Sequence, residues 1–328
     1  MSAPNSNPNR PTVPGTWLLP FLVLTFGLAW GIFALFFLFP RPLEQLFGPP
    51  RGSHPLFILA VYAPALAAFI LVTIRTGTRG FGRFLSRILL WRCPTSWWAF
   101  LLLGIPVVFF AGAAVGGRAT SEALTAPELT SLLAALAFMM VLGPVEEFGW
   151  RGFALPLLQR RMAPLWAGVL LGLIWGAWHL PAFFLGGTPQ EGWSFAPFFL
   201  GCVALSVIVT PLFNVSGGSI LLSAFFHYQM INPLWPDAQP YDSYFFAVVA
   251  VAVVWLNWES MLKGTGAVTE VVPSRARRWT PRRINATHGG EDRAFQEPVP
   301  ETHPGTLPET PLEPSPEPAL GPAPGPTR

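Results

Sequence analysis

The sequence predicts an all-α protein: a polytopic membrane helix bundle of about eight transmembrane helices, followed by a disordered C-terminal tail. Hydrophobic residues make up 52% of its 328 residues and charged residues only 11%, whereas about 25% of the residues in soluble domains are charged. Apolar segments of membrane-spanning length recur along most of the chain, and from about Gly264 onward Pro, Glu and Thr replace them. The composition argues against nucleic-acid binding, because no basic stripe interleaved with exposed aromatic residues is present.

Eight segments have, or approach, the roughly 20 apolar residues that a helix needs to cross a bilayer. The first is expected to remain as a membrane anchor, because its apolar stretch is too long for a cleavable signal peptide and no small-residue cleavage site follows it. The last two are the shortest. In chain order the segments are 17–39, 55–74, 97–116, 132–150, 165–185, 195–213, 219–235 and 244–258.

The distribution of Lys and Arg predicts the orientation, because positive residues in short loops stay in the cytoplasm. One side holds only Arg41, Arg51 and Arg118. Both termini are therefore predicted to be cytoplasmic, in a multi-pass protein of a bacterial plasma membrane. The basic side holds Arg10, Arg75, Arg79, Arg83, Arg87, Arg92, Arg160, Arg161, Lys263, Arg275, Arg277, Arg278, Arg282 and Arg283.

Composition divides the chain into three parts. Residues 1–94 hold the N-terminal membrane helices and a basic cytoplasmic loop, and residues 95–262 form the main membrane domain. Residues 263–328 are first basic and then Pro-rich, which predicts a disordered cytoplasmic tail, because such a segment cannot bury enough apolar surface to fold. Cys93 and Cys202 are isolated and are interpreted as packing residues.

Ionisable residues inside spans are rare, since each costs about 3 kcal/mol even on the mildest scale. The fourth span contains Glu146, Glu147 and Arg151, the fifth His179, and the seventh His227. By helix rise, Glu146 and His179 lie about 21 and 22 Å from the turn between their helices, so the two side chains should face each other. His227 lies about 14 Å along its helix, which predicts a place in the cytoplasmic half of the same chamber.

Spacing separates the two glutamates. Glu147 and Arg151 are four residues apart on one helical face, which predicts an ion pair that lowers the cost of both charges. Glu146 is turned by about 100° and is left free to point into the chamber. Asn232 follows His227 by five residues, so its amide joins the set only if the helix unwinds before the proline that comes next.

This set of side chains suits hydrolysis by an activated water. A carboxylate and an imidazole in one cavity can bind and deprotonate water, and a second imidazole with an amide can donate to an oxyanion. A serine or cysteine nucleophile is disfavoured, because none stands next to a histidine in these helices. Glu146, His179 and His227 could also hold Zn²⁺ or another divalent metal. The HExxH signature of soluble zinc proteases is absent, so the sequence does not demand a metal cofactor.

Three sequence blocks resemble those of a known family. They are EEFGWR at 146–151, WGAWH at 175–179 and HYQMIN at 227–232. In order and spacing they are similar to the EExxxR, FxxxH and HxxxN or HxxxD blocks of the CPBP family of intramembrane proteases. That family includes CAAX prenyl endopeptidases and Abi-type proteins linked to bacteriocin processing and immunity. The resemblance covers about residues 95–258 and implies that the main membrane domain, 95–262, is an intramembrane protease.

The resemblance also implies a role for each matching residue. Glu146 would activate the water, and His179 would help to hold it. His227 would contribute to an oxyanion hole, and Arg151 would form a structural ion pair with Glu147. The implied partner is a peptide or protein substrate in the bilayer, membrane-associated or lipidated.

Two departures from the family pattern concern the second and third blocks. Trp175 occupies the usual Phe position, and it and Trp178 are interpreted as lipid-facing or packing aromatic residues. Ile231 occupies the Asn or Asp position of the third block, and Asn232 stands one place later as the candidate amide. Asp237, on a predicted loop, is a nearby acidic alternative.

The predicted function is therefore an intramembrane endopeptidase that uses a water activated by Glu146 and His179. The peptide would enter from the cytoplasmic side or laterally from the bilayer. Two other functions fit the same residues. One is a non-catalytic membrane immunity or scaffold protein, and the other is a proton-coupled transporter, because buried Glu and His also form proton relays.

Overall fold

The computed structural model describes residues 12–118, 129–188 and 190–274, and every regular element in these ranges is helical. The predicted all-α fold is confirmed. The helices are α1 Leu18–Leu38, α2 Pro40–Phe47, α3 Pro55–Val61, α4 Ala63–Leu85, α5 Thr95–Val115, α6 Leu129–Leu158, α7 Pro164–Trp178, α8 Phe195–Val215, α9 Ile220–Met230, α10 Tyr241–Leu256 and α11 Trp258–Lys263.

Five helical segments of the described ranges are long and apolar enough to cross a membrane. They are α1 with the turn before it, α5, α6, α7 with the turn after it, and α8. Helices α3 and α4 meet at a 55° bend and make a sixth if they form one span. The last two predicted spans correspond to α9 and α10, whose 11 and 16 residues extend over only about 17 and 24 Å. The chain is an integral membrane protein, as its composition predicts.

One end of the bundle, here named the basic end, is held together by arginine side chains that bind backbone carbonyls. Arg75 donates to Thr12 O at 3.0 Å, and Arg160 donates to Val13 O at 2.6 Å. These bonds place the segment before α1 beside the middle of α4 and the end of α6. The described basic residues on segments that meet here are Arg75, Arg79, Arg83, Arg87, Arg92, Arg160, Arg161 and Lys263.

Arg87 extends this network into the interior and is 1% exposed. Its guanidinium donates to Gly218 O at 2.8 Å and to Gly152 O and Val271 O at 2.9 Å. One side chain therefore joins the turn between α8 and α9, the last part of α6 and the segment after α11. Because these carbonyls are buried, the bonds satisfy backbone groups that water does not reach.

Residues 264–274 pack against the basic end, which corrects the predicted start of the tail at residue 263. Val268 and Val271 are 2% and 1% exposed, and Gln159 donates to Val268 O at 2.9 Å. Val268, Val271 and Val272, within AVTEVV at 267–272, pack into this part of the core. The residues around them are mostly polar, so the composition of the segment does not indicate this packing. The rest of the predicted tail lies outside the described residues.

The opposite end, here named the distal end, is formed by the end of α5 and by residues 48–54, 185–188, 190–194 and 231–240 of the connections. Arg118, just after α5, forms an ion pair with Asp237. Gly187 has φ +76°, and a Cβ there would lie 2.2 Å from Pro50 O, so only glycine permits this contact between two connections.

Close packing of α7 on α8 positions the second sequence block. Gly168, Gly172 and Gly176 form a small-residue stripe along α7, and a Cβ at Gly172 would lie 2.6 Å from Val203 Cα. Small residues at this spacing let membrane helices approach closely. The stripe therefore sets the height and rotation of Trp175 and His179.

Candidate functional site

Helix α6 is irregular where its ionisable residues lie. Its regular first part ends at Leu142, a 3₁₀ turn spans Pro144–Glu146, and a π turn spans Trp150–Ala154. Pro144 cannot donate a helical hydrogen bond, and a π turn adds one residue to the helical circuit. These breaks direct the two adjacent glutamate side chains into different surroundings.

Glu146 is 3% exposed and accepts two hydrogen bonds from indole groups. Trp150 Nε1 lies 3.0 Å and Trp175 Nε1 2.9 Å from the same oxygen, Oε2. The prediction left this carboxylate free of partners, but it is held by two donors. Since both act on Oε2, the second oxygen, Oε1, is left for a molecule in the adjacent cavity.

Glu147 is the acceptor in a buried group of three charged or ionisable side chains. Its Oε1 lies 2.9 Å from Arg151 Nη1 and 2.8 Å from His227 Nδ1. The predicted pair of Glu147 with Arg151 is present, with both side chains 2% exposed. The guanidinium also lies 4.9 Å from the centre of the Trp175 ring, which adds a cation–π contact.

His179 directly follows α7. Its Nδ1 lies 2.8 Å from Trp175 O, and a carbonyl oxygen can only accept, so Nδ1 carries the proton. In the neutral ring Nε2 is then an acceptor. The ring is held edge-on by Trp178 at 4.8 Å and Phe198 at 5.1 Å between ring centres.

His227 reaches farther from the basic end than its sequence position predicts. The helical rise predicts that His227 lies in the cytoplasmic half of the chamber if α9 starts at the surface of the bundle. Arg87 instead binds Gly218 O and Gly152 O together, which puts the start of α9 about 9 Å inside the end of α6. A Cβ at Gly143 would lie 2.9 Å from His227 Nε2, so this glycine makes room for the imidazole.

The unwinding required for Asn232 is observed, since α9 ends at Met230. Asn232 is 8% exposed, its Nδ2 donates to Gln229 Oε1 at 3.1 Å, and its Oδ1 accepts from Leu234 N at 3.0 Å. One of the two amide N–H groups remains for another acceptor. Asp237 is a loop residue, as predicted, and its ion pair with Arg118 occupies it at the distal end.

The predicted site residues line one cavity of about 380 Å³, within the usual range of roughly 300–1,000 Å³ for small-ligand sites. Glu146, His179, His227 and Asn232 all contribute to its wall, whereas Glu147 and Arg151 lie behind it. The remaining wall is mostly aromatic and aliphatic. It includes Phe33, Phe57, Phe109, Leu142, Leu205 and Phe246.

The possible metal set of Glu146, His179 and His227 is not gathered into a three-ligand cluster in this conformation. Within residues 12–118, 129–188 and 190–274, no three His, Cys, Asp or Glu side chains are placed to hold a metal ion.

Sequence reasoning missed the indole donors. Trp175, interpreted as a lipid-facing or packing residue, is 5% exposed and donates to Glu146, as does Trp150. Two signals were present. Trp150 follows Glu146 by four residues, on the same helical face, and Trp175 stands where the family usually has Phe, which has no N–H to donate.

Two comparisons with known proteins match this chain. Residues 128–231 match the model of the type II CAAX prenyl endopeptidase Rce1-like family. A protein of Methanococcus maripaludis named CAAX prenyl protease 2 is 27% identical over 136 residues, which are 38% of this chain and 50% of that protein. The chain thus spans about half the length of this curated relative.

The matched range contains the first two sequence blocks and His227, and it ends at Ile231, one residue before Asn232. The first two blocks and His227 thus lie within the family match, and side chains of all three blocks line one cavity. Residues 128–231 thus match the CPBP family of intramembrane proteases, which the three sequence blocks resemble.

Proposed function

We propose that the chain is an intramembrane endopeptidase that hydrolyses a peptide bond with a water activated by Glu146 and His179. The observation that carries the proposal is that both side chains line one cavity among membrane-spanning helices. A buried carboxylate and a neutral imidazole that accepts through Nε2 are the groups that general-base activation of water requires.

In the proposed reaction, water lies between Glu146 Oε1 and His179 Nε2. Glu146 takes one proton as the water oxygen attacks the carbonyl carbon, and a tetrahedral intermediate forms. The C–N bond then breaks, and the same proton passes from the carboxyl group to the leaving amine. The Trp150 and Trp175 N–H groups stabilise the negative charge of Glu146 and orient it.

His227 and Asn232 would stabilise the oxyanion of that intermediate. The Glu147 carboxylate, 2.8 Å from His227 Nδ1, orients the imidazole, and an Nε2–H of this ring would donate to the oxyanion. The unused N–H of the Asn232 amide is a second donor. Glu147 and Arg151 act behind the cavity wall, by holding the His227 ring.

The two other functions that fit these residues, a scaffold and a proton-coupled carrier, would give different experimental results from a protease. A non-catalytic scaffold would bind a peptide in the cavity without cleaving it, and a proton-coupled carrier would move a substrate across the bilayer. The proposed test uses protein reconstituted in liposomes with a library of apolar peptides, prenylated and unmodified. Mass spectrometry of the products detects cleavage, and uptake into the vesicles detects transport.

His179→Ala is expected to lower the cleavage rate by about 10²–10⁴-fold, the usual contribution of a general acid–base group. The water would lose its Nε2 partner, while peptide binding to the apolar wall would change little. Cleavage by the wild type and its loss in the variant, at equal thermal stability in detergent, would support the proposal. Unchanged cleavage in the variant, or peptide uptake without products in the wild type, would reject it.

Trp175→Phe restores the residue usual in the family and removes one donor from Glu146. A hydrogen bond to a charged group is worth about 1.5–3 kcal/mol, so we expect kcat to fall roughly tenfold or more, with KM nearly unchanged. Phe keeps an aromatic face for Arg151 and the cavity wall. The matched control is Trp166→Phe, because Trp166 is 58% exposed on the outside of α7. Equal kcat in both variants would show that Trp175 does not act through Glu146.

A further inference from the structure

The cavity extends from Glu146 to the distal end of the bundle. Its wall includes Gly52, Gln190, Trp193, Pro236 and Asp237, which belong to the three connections that form that end. The side chain of Asp237 is 49% exposed. The cavity wall thus reaches from the membrane interior to the surface at this end.

The basic end contributes nothing to the described cavity wall. Arg87 closes the space between α4, α6 and α9 through three carbonyl bonds, and Gln159 joins Asn214 and Val268 beside it. Phe21, Trp150 and Phe153 are each 0% exposed and fill the core between this network and the catalytic group. A peptide therefore has no path from the basic end through the described residues.

Charge distinguishes the two ends in a way that predicts their side of the membrane. The described basic end carries eight Lys and Arg residues, named above, whereas Arg41, Arg51 and Arg118 are those on the distal side. Positive residues in short connections are retained in the cytoplasm. The distal end, and with it the cavity mouth, then faces away from the cytoplasm.

We propose that the cavity receives its substrate from the non-cytoplasmic face, and that this substrate is an apolar peptide segment of a membrane-anchored chain exposed there. This differs from the sequence-based expectation of access from the cytoplasmic side or laterally from the bilayer. The aromatic and aliphatic wall suits apolar side chains, and the catalytic group lies a short way inside the mouth. That a bound peptide is cleaved rests on the proposed function, whereas the face of access does not.

The test uses single cysteines in a Cys93→Ser, Cys202→Ala background expressed in a bacterial host. Asp237→Cys marks the distal end, Arg161→Cys marks the basic end, and Ser243→Cys marks the cavity wall. Intact and permeabilised cells are treated with a membrane-impermeant maleimide, or with a small charged methanethiosulfonate for Ser243→Cys. Thermal unfolding in detergent checks that each variant is folded.

We expect Asp237→Cys and Ser243→Cys to react in intact cells and Arg161→Cys to react only after permeabilisation. The reverse pattern would overturn the proposal, and so would a Ser243→Cys that stays unreactive while Asp237→Cys reacts. The outcome is independent of catalysis. Labelling as expected without cleavage of any peptide would reject the protease function alone, whereas cleavage with the reverse labelling would reject the non-cytoplasmic access alone.

Discussion

Glu146→Gln is expected to lower kcat/KM for peptide cleavage by about 10³-fold or more, the upper part of the range for a general base. Glutamine has the same shape, and its carbonyl oxygen can accept the hydrogen bonds from Trp150 and Trp175. It cannot take a proton from water. The variant is therefore expected to fold, to insert and to bind peptide, while it fails to cleave.

Glu259→Gln is the matched control, since Glu259 is exposed at the surface and pairs with Lys263 one turn later. Its cleavage rate is expected to equal that of the wild type. The measurement is single-turnover cleavage in liposomes, with peptide binding followed separately by fluorescence. A Glu146→Gln protein that cleaves at the control rate would remove the general base from the mechanism and require another residue in that role.

Arg151→Met is expected to lower the free energy of unfolding by about 3–5 kcal/mol, the usual result of removing one partner from a buried ion pair. Glu147 would keep only His227 as a partner, in a site where both Arg151 and Glu147 are 2% exposed. One atom of each side chain, Arg151 Nε and Glu147 Oε2, already has no hydrogen-bond partner. The pair therefore stabilises the fold mainly by mutual neutralisation.

The double variant Glu147→Gln, Arg151→Met tests this explanation. Because it removes both charges, its loss of stability is expected to be smaller than that of Arg151→Met alone. Lys263→Met is the surface control and is expected to change stability by less than about 1 kcal/mol. Thermal and denaturant unfolding in detergent provide the comparison. A double variant that is less stable than either single variant would show that charge neutralisation is not the reason.

Much of the site could be predicted from spacing alone. Four residues between Glu147 and Arg151 place them on one helical face, and the structure shows their ion pair. The helical rise, counted from the short turn that joins α6 to α7, predicts that Glu146 and His179 lie at the same distance from that turn. Both side chains line the same cavity.

What the sequence did not predict depends on contacts between distant segments. The depth of His227 follows from Arg87, 140 positions earlier, which draws the start of α9 into the bundle. The sequence does not distinguish Trp175 from the other aromatic residues of the spans, because its hydrogen-bond acceptor, Glu146, lies 29 positions away. Residues 264–274 look polar in composition, and only the buried Val268 and Val271 show that they complete the core.

The order in which these contacts can form has a consequence for biosynthesis. Arg160 donates to both Val13 O and Thr269 O, so one side chain bridges residues that leave the ribosome more than 250 positions apart. The hydrogen bond from Arg87 to Val271 O likewise cannot form until residue 271 has been synthesised. During translation the helices can enter the membrane one after another, but the network at the basic end closes only after the segment beyond α11 has emerged. Final assembly of the helix bundle is therefore a late, post-insertion event.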